Sequence, residues 1–438
     1  MARWGVIGGG VLGLMVAHRL AQEGHDVTVV EGSPEIGGLA SAWQITIPGL
    51  DGGPDEKVTW DRHYHVTLLS DQRTQEMVGV AGLADEFRWV ETKTGYYGTD
   101  ATLRSVSNTL EFLQLPGLNP LDKLRLGGTI MYGSKIRSGK RMERIPVDAW
   151  LRRWSGQRTF ERFWKPLLRA KLGDAYQAAS AAFIWATIQR LYAARRSGLK
   201  KEMFGYVSGG YARVFERLGA ALTAEVVKLM LGAPVRRIRR DGQYLAVDTD
   251  IGTERFESVV ITTNAHLAAD LCPELAPDEA ARMRSVRYMG IVCASLVLRR
   301  PLAPYYLTYI TDPDTPFTAV VEMTAFVDPA EVAGHNLVYL PKYVAPDDPL
   351  FDASDEEIRA TFLPYLRRMY PTVTDDDVLG FRVSRVRRVF AVPTLGYSGR
   401  MPSMATSMPG LHLAGSAQLP FATLNVNDTL GLVEEFLR

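Results

Sequence analysis

The sequence predicts an α/β fold, and three stretches carry that expectation. Residues 3–31 run as strand, glycine turn, helix and strand. Residues 206–263 set a Gly-Gly turn and a helix before three short strands, and residues 410–438 close the chain with a strand and a helix. The 438 residues suffice for two domains or one large interleaved architecture, and 46% hydrophobic content supports a full core.

In the opening stretch, the apolar run around Trp4, Val6 and Ile7 stops at Gly8-Gly9-Gly10-Val11-Leu12-Gly13. Leu14 to Glu23 has a helical pattern, and His25 to Val30 forms a second buried strand closed by Glu31. This is the first half of a Rossmann-like dinucleotide-binding unit. Gly8 permits the tight turn, Gly10 leaves no side chain to obstruct a diphosphate, and Gly13 lets the helix lie close on the sheet. The helix N-terminus at Val11 and Leu12 offers unpaired N–H groups and partial positive charge to phosphate. Glu31 lies 23 residues after Gly8, where a carboxylate can accept from ribose hydroxyls.

A second glycine pair, Gly37-Gly38-Leu39-Ala40, follows that acid. Here the chain resembles the flavoprotein superfamily of amine oxidases, protoporphyrinogen oxidases, phytoene-type desaturases and UDP-galactopyranose mutases. The resemblance implies FAD, with Gly37, Gly38 and Leu39 bringing backbone against its diphosphate. Where many relatives place Arg after the pair, this chain has Leu39, which suits the protoporphyrinogen-oxidase-like branch better than the monoamine oxidase branch.

Further along, Trp43 to Ile47 reads as a strand, Pro48 to Pro54 as a glycine-rich turn, and Val58 to Val66 as an extended segment. The resemblance runs that segment beneath the flavin. Phe87 to Thr99 is strand-like, and residues 105–200 are helical in pattern, with a buried stripe over Phe160, Phe163, Trp164, Leu167 and Leu168. After Gly209-Gly210, a helix over Ala212 to Thr223 leads to strands at Ala233–Ile238, Tyr244–Thr249 and Ser258–Thr263. In the resembling families this ribbon contacts adenine, which assigns backbone contacts to Val235. Residues 286–299 and 318–343 predict a second sheet, extended by Phe381 to Val389. The close implies contacts from Gly415 and Ser416 to the cofactor, and a last helix beginning at Asn425 and Val426 whose N-terminus points at the flavin. The resulting expectation is a FAD-binding domain (1–75, 205–275, 385–438) interleaved with a mixed α+β substrate domain. The latter comprises a helical cap (76–204) and a sheet (276–384).

The net charge of +1 conceals an asymmetry: residues 121–171 hold fourteen Lys or Arg against four acids. A second basic group follows at Arg190, Arg195, Arg196, Lys200 and Lys201. Such a surface is either a set of solvated helix faces or a site for anionic lipid headgroups or a phosphorylated substrate. No recognition fold accompanies the charge, so no nucleic-acid partner is expected. Cys272 and Cys293 are too far apart for a redox dithiol or a zinc site, and no metal site is expected. The opening strand at residue 3 and the lack of any long uncharged apolar window point to the cytoplasm, with peripheral attachment at a membrane.

The function expected is that of a noncovalent FAD-dependent oxidoreductase removing a hydride from a CH–NH, CH–CH or CH–OH position of a small-molecule or lipid-linked substrate. There is no second G-x-G-x-x-G for NADPH, so electrons would leave to oxygen or a quinone. Two alternatives stand beside it: a sugar-nucleotide mutase without net redox turnover, and a binding protein that retains FAD. For catalysis, period-two geometry over Asp61-Arg62-His63-Tyr64-His65 sends His63 and His65 one way and Arg62 and Tyr64 the other. His65 is the expected proton acceptor. Lys342 is the second candidate, because some relatives hold a Lys-bound water at the flavin.

Overall fold

The computed structural model describes residues 1–49, 53–107, 111, 114, 117–195, 203–421 and 425–438. Leu50, Asp51 and Gly52 of the expected glycine-rich turn, and Arg196, Lys200 and Lys201 of the second basic group, lie outside the described residues. The opening unit folds as read. β1 (Arg3–Ile7) and β2 (Asp26–Val30) pair in parallel with Trp4 opposite Val27, and α1 (Val11–Gln22) connects them.

These strands sit at the centre of a five-stranded parallel sheet in the order Lys228–Met230, β2, β1, Ser258–Ile261, Leu411–Leu413. The chain therefore returns to its first sheet from two distant stretches. Helices α1 and Gly210–Ala224 cover one face of the sheet, and the strand residues facing them, Val6, Val29 and Val260, are fully buried, as a covered parallel sheet requires. Beside it stands an antiparallel ribbon of Val235–Asp241, Tyr244–Thr249 and Gly252–Phe256; Ser258–Ile261, expected as its third strand, pairs instead with β1 in the parallel sheet.

A second sheet has seven strands in the order Val378–Ala391, Tyr288–Leu298, Asn336–Val344, Ala319–Glu322, Leu307–Ile310, Thr94–Tyr97, Leu103–Ser105. All its neighbours are antiparallel except Leu307–Ile310 with Thr94–Tyr97. The strand-like run 87–99 is divided: Phe87–Glu91 joins a separate small sheet with Met203–Val207, while Thr94–Tyr97 joins the large one. The middle of the chain is helical, from Pro120–Lys135 to Ala181–Arg195. Phe160, Trp164 and Leu168 of the expected stripe are buried core, and one π-helical turn, Phe160–Trp164, interrupts it.

Candidate active site

The cradle is built from glycines that only this fold brings together. Gly8 has φ +112°, and a side chain on Gly13 would lie 2.0 Å from the Gly8 carbonyl oxygen. Glycine at 13 is thus what lets α1 rest on β1. Gly10 caps α1 with no side-chain hydrogen bond, and no acid stands in the first turn, so the helix start is open to an anion. Opposite it, Gly37 donates its N–H to the Gly9 carbonyl at 2.8 Å, and a Cβ on Gly38 would come 3.1 Å from Gly10 Cα. The two glycine turns face each other with no side chain between them. Glu31 borders these turns: its Oε2 accepts the Gly9 N–H at 2.6 Å and its Oε1 the Ser33 N–H at 2.8 Å.

Val235 and Gly415 lie at the ends of strands beside this edge, and Asn425 begins the last helix. The Ala233 N–H donates to the Glu31 carbonyl at 2.9 Å, which sets Val235 alongside the acid. Gly415 follows Ala414, whose N–H reaches Ile261 O, and a Cβ at Gly415 would meet Thr263 O at 2.6 Å. Ser416 continues from it in a short 3-10 turn. Asn425 caps the last helix, Val426–Phe436, by accepting the Asp428 N–H.

The segment 61–65 departs from expectation. The strand ends at Asp61 because its partner begins at Ala42, beyond which the chain bends into the Gly37–Ala40 turn. Residues 62–66 therefore have no ladder partner, and period two does not govern them. His63 turns back to the cradle: its Nδ1 bonds the Leu39 carbonyl at 2.9 Å, while Nε2 is buried without a partner among the described residues. Burial pushes the His63 pKa down to about 4, so the ring is neutral. Arg62 lies with it, donating to Ala42 O at 3.1 Å. His65 goes elsewhere, 3.8 Å from the Asp61 carboxylate, with its ring centre 4.9 Å from that of Tyr211 and tilted 51° to it. It lines a small internal cavity, with room for about one water molecule, together with Trp60, Asp61, Tyr206, Tyr211 and Met323. Asp61 is 3% exposed and caps the helix Gly210–Ala224 by accepting the Tyr211 N–H at 3.0 Å; burial raises its pKa.

The sequence profile of the flavin-containing amine oxidoreductases matches residues 13–420. The chain belongs to that family. A protein named as the flavin-containing monoamine oxidase AofH, from Mycobacterium tuberculosis, is 25% identical over 294 residues, 62% of this chain and 60% of the relative. Zeta-carotene desaturase of Synechocystis is 21% identical over 94% of this chain and 92% of its own. Among solved structures, one titled as a protoporphyrinogen oxidase from Exiguobacterium superposes with TM-score 0.75 at 18% identity, covering 99% of this chain and 97% of that one. The family's cofactor is a flavin. The bare glycine turns, the uncapped helix start and the orphaned His63 Nε2 fit a dinucleotide of that kind.

Within this family fold, Lys342 does not reach the site. It pairs with Val292 on strands whose residues alternate faces, and its neighbour Tyr343 is the one turned toward residue 64. Lys342 thus lies on the opposite face, against the helix Asp355–Met369 side of the sheet, a correction to the sequence reading. In its place the structure brings Lys171, at the end of the helix Lys165–Leu172. Its Nζ packs 3.6 Å from the centre of the Tyr343 ring and 5.5 Å from Phe390. It has no ion-pair partner among the described residues, and burial lowers its pKa to about 7, with Arg190 contributing. Tyr343 in turn shares a 3.0 Å hydroxyl contact with Tyr64, whose pKa burial raises to about 12. The roles of Asp61, Tyr64, Lys171 and Tyr343 were missed in sequence because their partners are distant in the chain, |i−j| = 150 for Asp61 with Tyr211 and 279 for Tyr64 with Tyr343. Only the density of polar and aromatic residues at 61–65 hinted at them.

Proposed function

We propose that this chain is a FAD-dependent oxidoreductase that binds FAD noncovalently and removes a hydride from a CH–NH, CH–CH or CH–OH position of a small-molecule or lipid-linked substrate. The observation that carries it is the bare backbone of the two glycine turns, which touch at Gly10 and Gly38 with no side chain over them, bordered by Glu31 and the open start of α1. FAD, when bound, supplies the acceptor of the hydride.

The chain's own residues divide the remaining work. Val11, Leu12 and Gly13 present first-turn N–H groups to the diphosphate, and Glu31 accepts from ribose. Val235, Gly415, Ser416, Asn425 and Val426 hold the rest of the cofactor, and the neutral His63 offers Nε2 as an acceptor on the same side. His65 takes the substrate's proton, held beside the pocket by Asp61, whose carboxylate compensates the positive charge that the imidazole acquires. Lys171 sits over the Tyr343 ring, where a second cation is disfavoured, which supports a neutral or anionic substrate over a cationic amine. Electrons then leave to oxygen or a quinone. In this reading the basic face of residues 121–171 makes peripheral contact with an anionic membrane.

The test is direct. The purified protein should be yellow and release intact FAD on denaturation, and candidate substrates should bleach it without oxygen. A colourless protein that binds NAD instead would overturn the reading. Turnover seen only after dithionite reduction would favour the mutase alternative, and a flavin inert to every candidate would favour a binding protein.

A further inference from the structure

The helix Pro120–Lys135 is packed inside out. Its buried positions are Asp122, Leu126, Thr129, Gly133 and Ser134, small or polar apart from one leucine. Ile130 and Tyr132 are half-buried against the core, but three large apolar residues face outward: Leu121 is 55% exposed, Leu124 72% and Met131 55%. An amphipathic helix on a protein surface ordinarily does the reverse. Leu121, Leu124, Gly128 and Met131 are spaced three or four apart, so they form one stripe about 15 Å long.

The inward side is not a packing accident. Asn119 and Asp122 form a reciprocal capping box, the Ser155 hydroxyl donates to Thr129 at 2.9 Å, and a side chain on Gly133 would meet Ile188 at 3.1 Å. These contacts fix the helix's rotation and hold the stripe outward. Gly127 and Gly128 on the outer side have nothing within 4 Å, which leaves the backbone open to close approach. Trp154, 40% exposed, stands beside the stripe with its ring 4.3 Å from Tyr132.

The charge around the stripe has one sign. Arg125, Lys135, Arg137, Lys140, Arg141 and Arg153 are exposed and enter no ion pair among the described residues. The four acids of the same stretch are already engaged: Asp122 with Arg158, Glu143 with Ser398, Asp148 with Arg152, Glu161 with Lys165. An apolar stripe with an indole at its edge and a rim of free cations matches the interface of an anionic bilayer. No helix among the described residues is long and apolar enough to cross one.

We infer that the helix Pro120–Lys135 lies in the plane of an anionic membrane, with Leu121, Leu124 and Met131 inserted among the acyl chains and the surrounding Lys and Arg on the headgroups. This rests on the reading that the basic face meets a membrane, and adds that the attachment is apolar as well as electrostatic. Charge contacts fade as salt shortens the Debye length, whereas apolar insertion does not.

The test is sedimentation of the full-length holoenzyme with vesicles of phosphatidylcholine alone or mixed with phosphatidylglycerol. The wild type should bind the mixed vesicles at low salt and keep a measurable fraction bound when the Debye length falls to about 3 Å. The triple variant Leu121→Ser, Leu124→Ser, Met131→Ser should keep its melting temperature, since these side chains are exposed. Its partitioning should fall about tenfold or more, and its salt-resistant fraction should disappear. Wild type that ignores mixed vesicles at low salt would sink both the membrane reading and this inference. Binding that vanishes entirely with salt, or a triple variant that partitions like wild type, would overturn the insertion alone. A wild-type dimer in sedimentation velocity without vesicles, dissociated by the same substitutions, would assign the stripe to a second copy and also overturn it.

Discussion

Replacing Gly10 by alanine should separate cofactor binding from folding. Gly10 has φ −80° and ψ 176°, extended values that any residue adopts. A Cβ there meets only Gly38 Cα, at 3.9 Å, an ordinary contact. As a helix cap, alanine is worse than glycine by about 1 kcal/mol or less. In a chain of this size that shifts Tm by about 3 °C at most. The methyl group, however, covers part of the bare backbone that a diphosphate must approach to reach the helix N–H groups. A hydrogen bond to a charged group contributes about 1.5–3 kcal/mol, so losing one weakens FAD about ten- to a hundredfold. Gly13→Ala is the contrast. Its Cβ would lie 2.0 Å from Gly8 O and 2.9 Å from Thr262 Oγ1, so α1 must move off β1. Overpacking of this kind costs about 1–3 kcal/mol or more, and the apoprotein itself should melt early. The assays are FAD titration of the apoprotein by flavin fluorescence and thermal melting by circular dichroism. A Gly10→Ala protein that binds FAD with the wild-type Kd would refute the placement of the diphosphate against this backbone.

Three further outcomes are expected. Glu31→Ala should weaken FAD about ten- to a hundredfold, measured by the same titration, because a charged acceptor for ribose is lost; unchanged affinity would remove Glu31 from the site. His65→Ala should retain FAD and Tm yet slow anaerobic flavin reduction by about 10²–10⁴-fold in stopped flow, and reduction at the wild-type rate would show that His65 is not the base. Lys171 titrates at about 7 in the folded chain, below its unfolded value, so the unfolded state binds more protons from about pH 7 to about pH 10 and wild-type stability rises across that window. Lys171→Met should therefore melt above wild type near pH 6, with the gap narrowing as pH rises. A gap independent of pH would mean that the ammonium is not held out of water.

What the sequence determined by itself was the cofactor unit. Gly8, Gly10, Gly13, Glu31, Gly37 and Gly38 fall within 31 residues, and each acts through backbone conformation or a local contact, so spacing alone specifies their arrangement. The start of the last helix at Asn425 was legible for the same reason. Only the tertiary structure decided how residues 61–65, Lys171 and Lys342 are arranged. Which face Lys342 presents depends on the register of its pairing with Val292, and a shift of one residue would reverse it. His63 and His65 part company because the strand loses its partner at Ala42 and because Asp61 is drawn to a helix that starts at Gly210. Lys171, one cation among fourteen in its stretch, becomes distinct only when strand Asn336–Val344 lays Tyr343 beneath it. The outward stripe of helix Pro120–Lys135 is the same lesson in reverse. Leu121, Leu124 and Met131 are exposed because the Ser155–Thr129 contact and the close fit at Gly133 turn the opposite side inward.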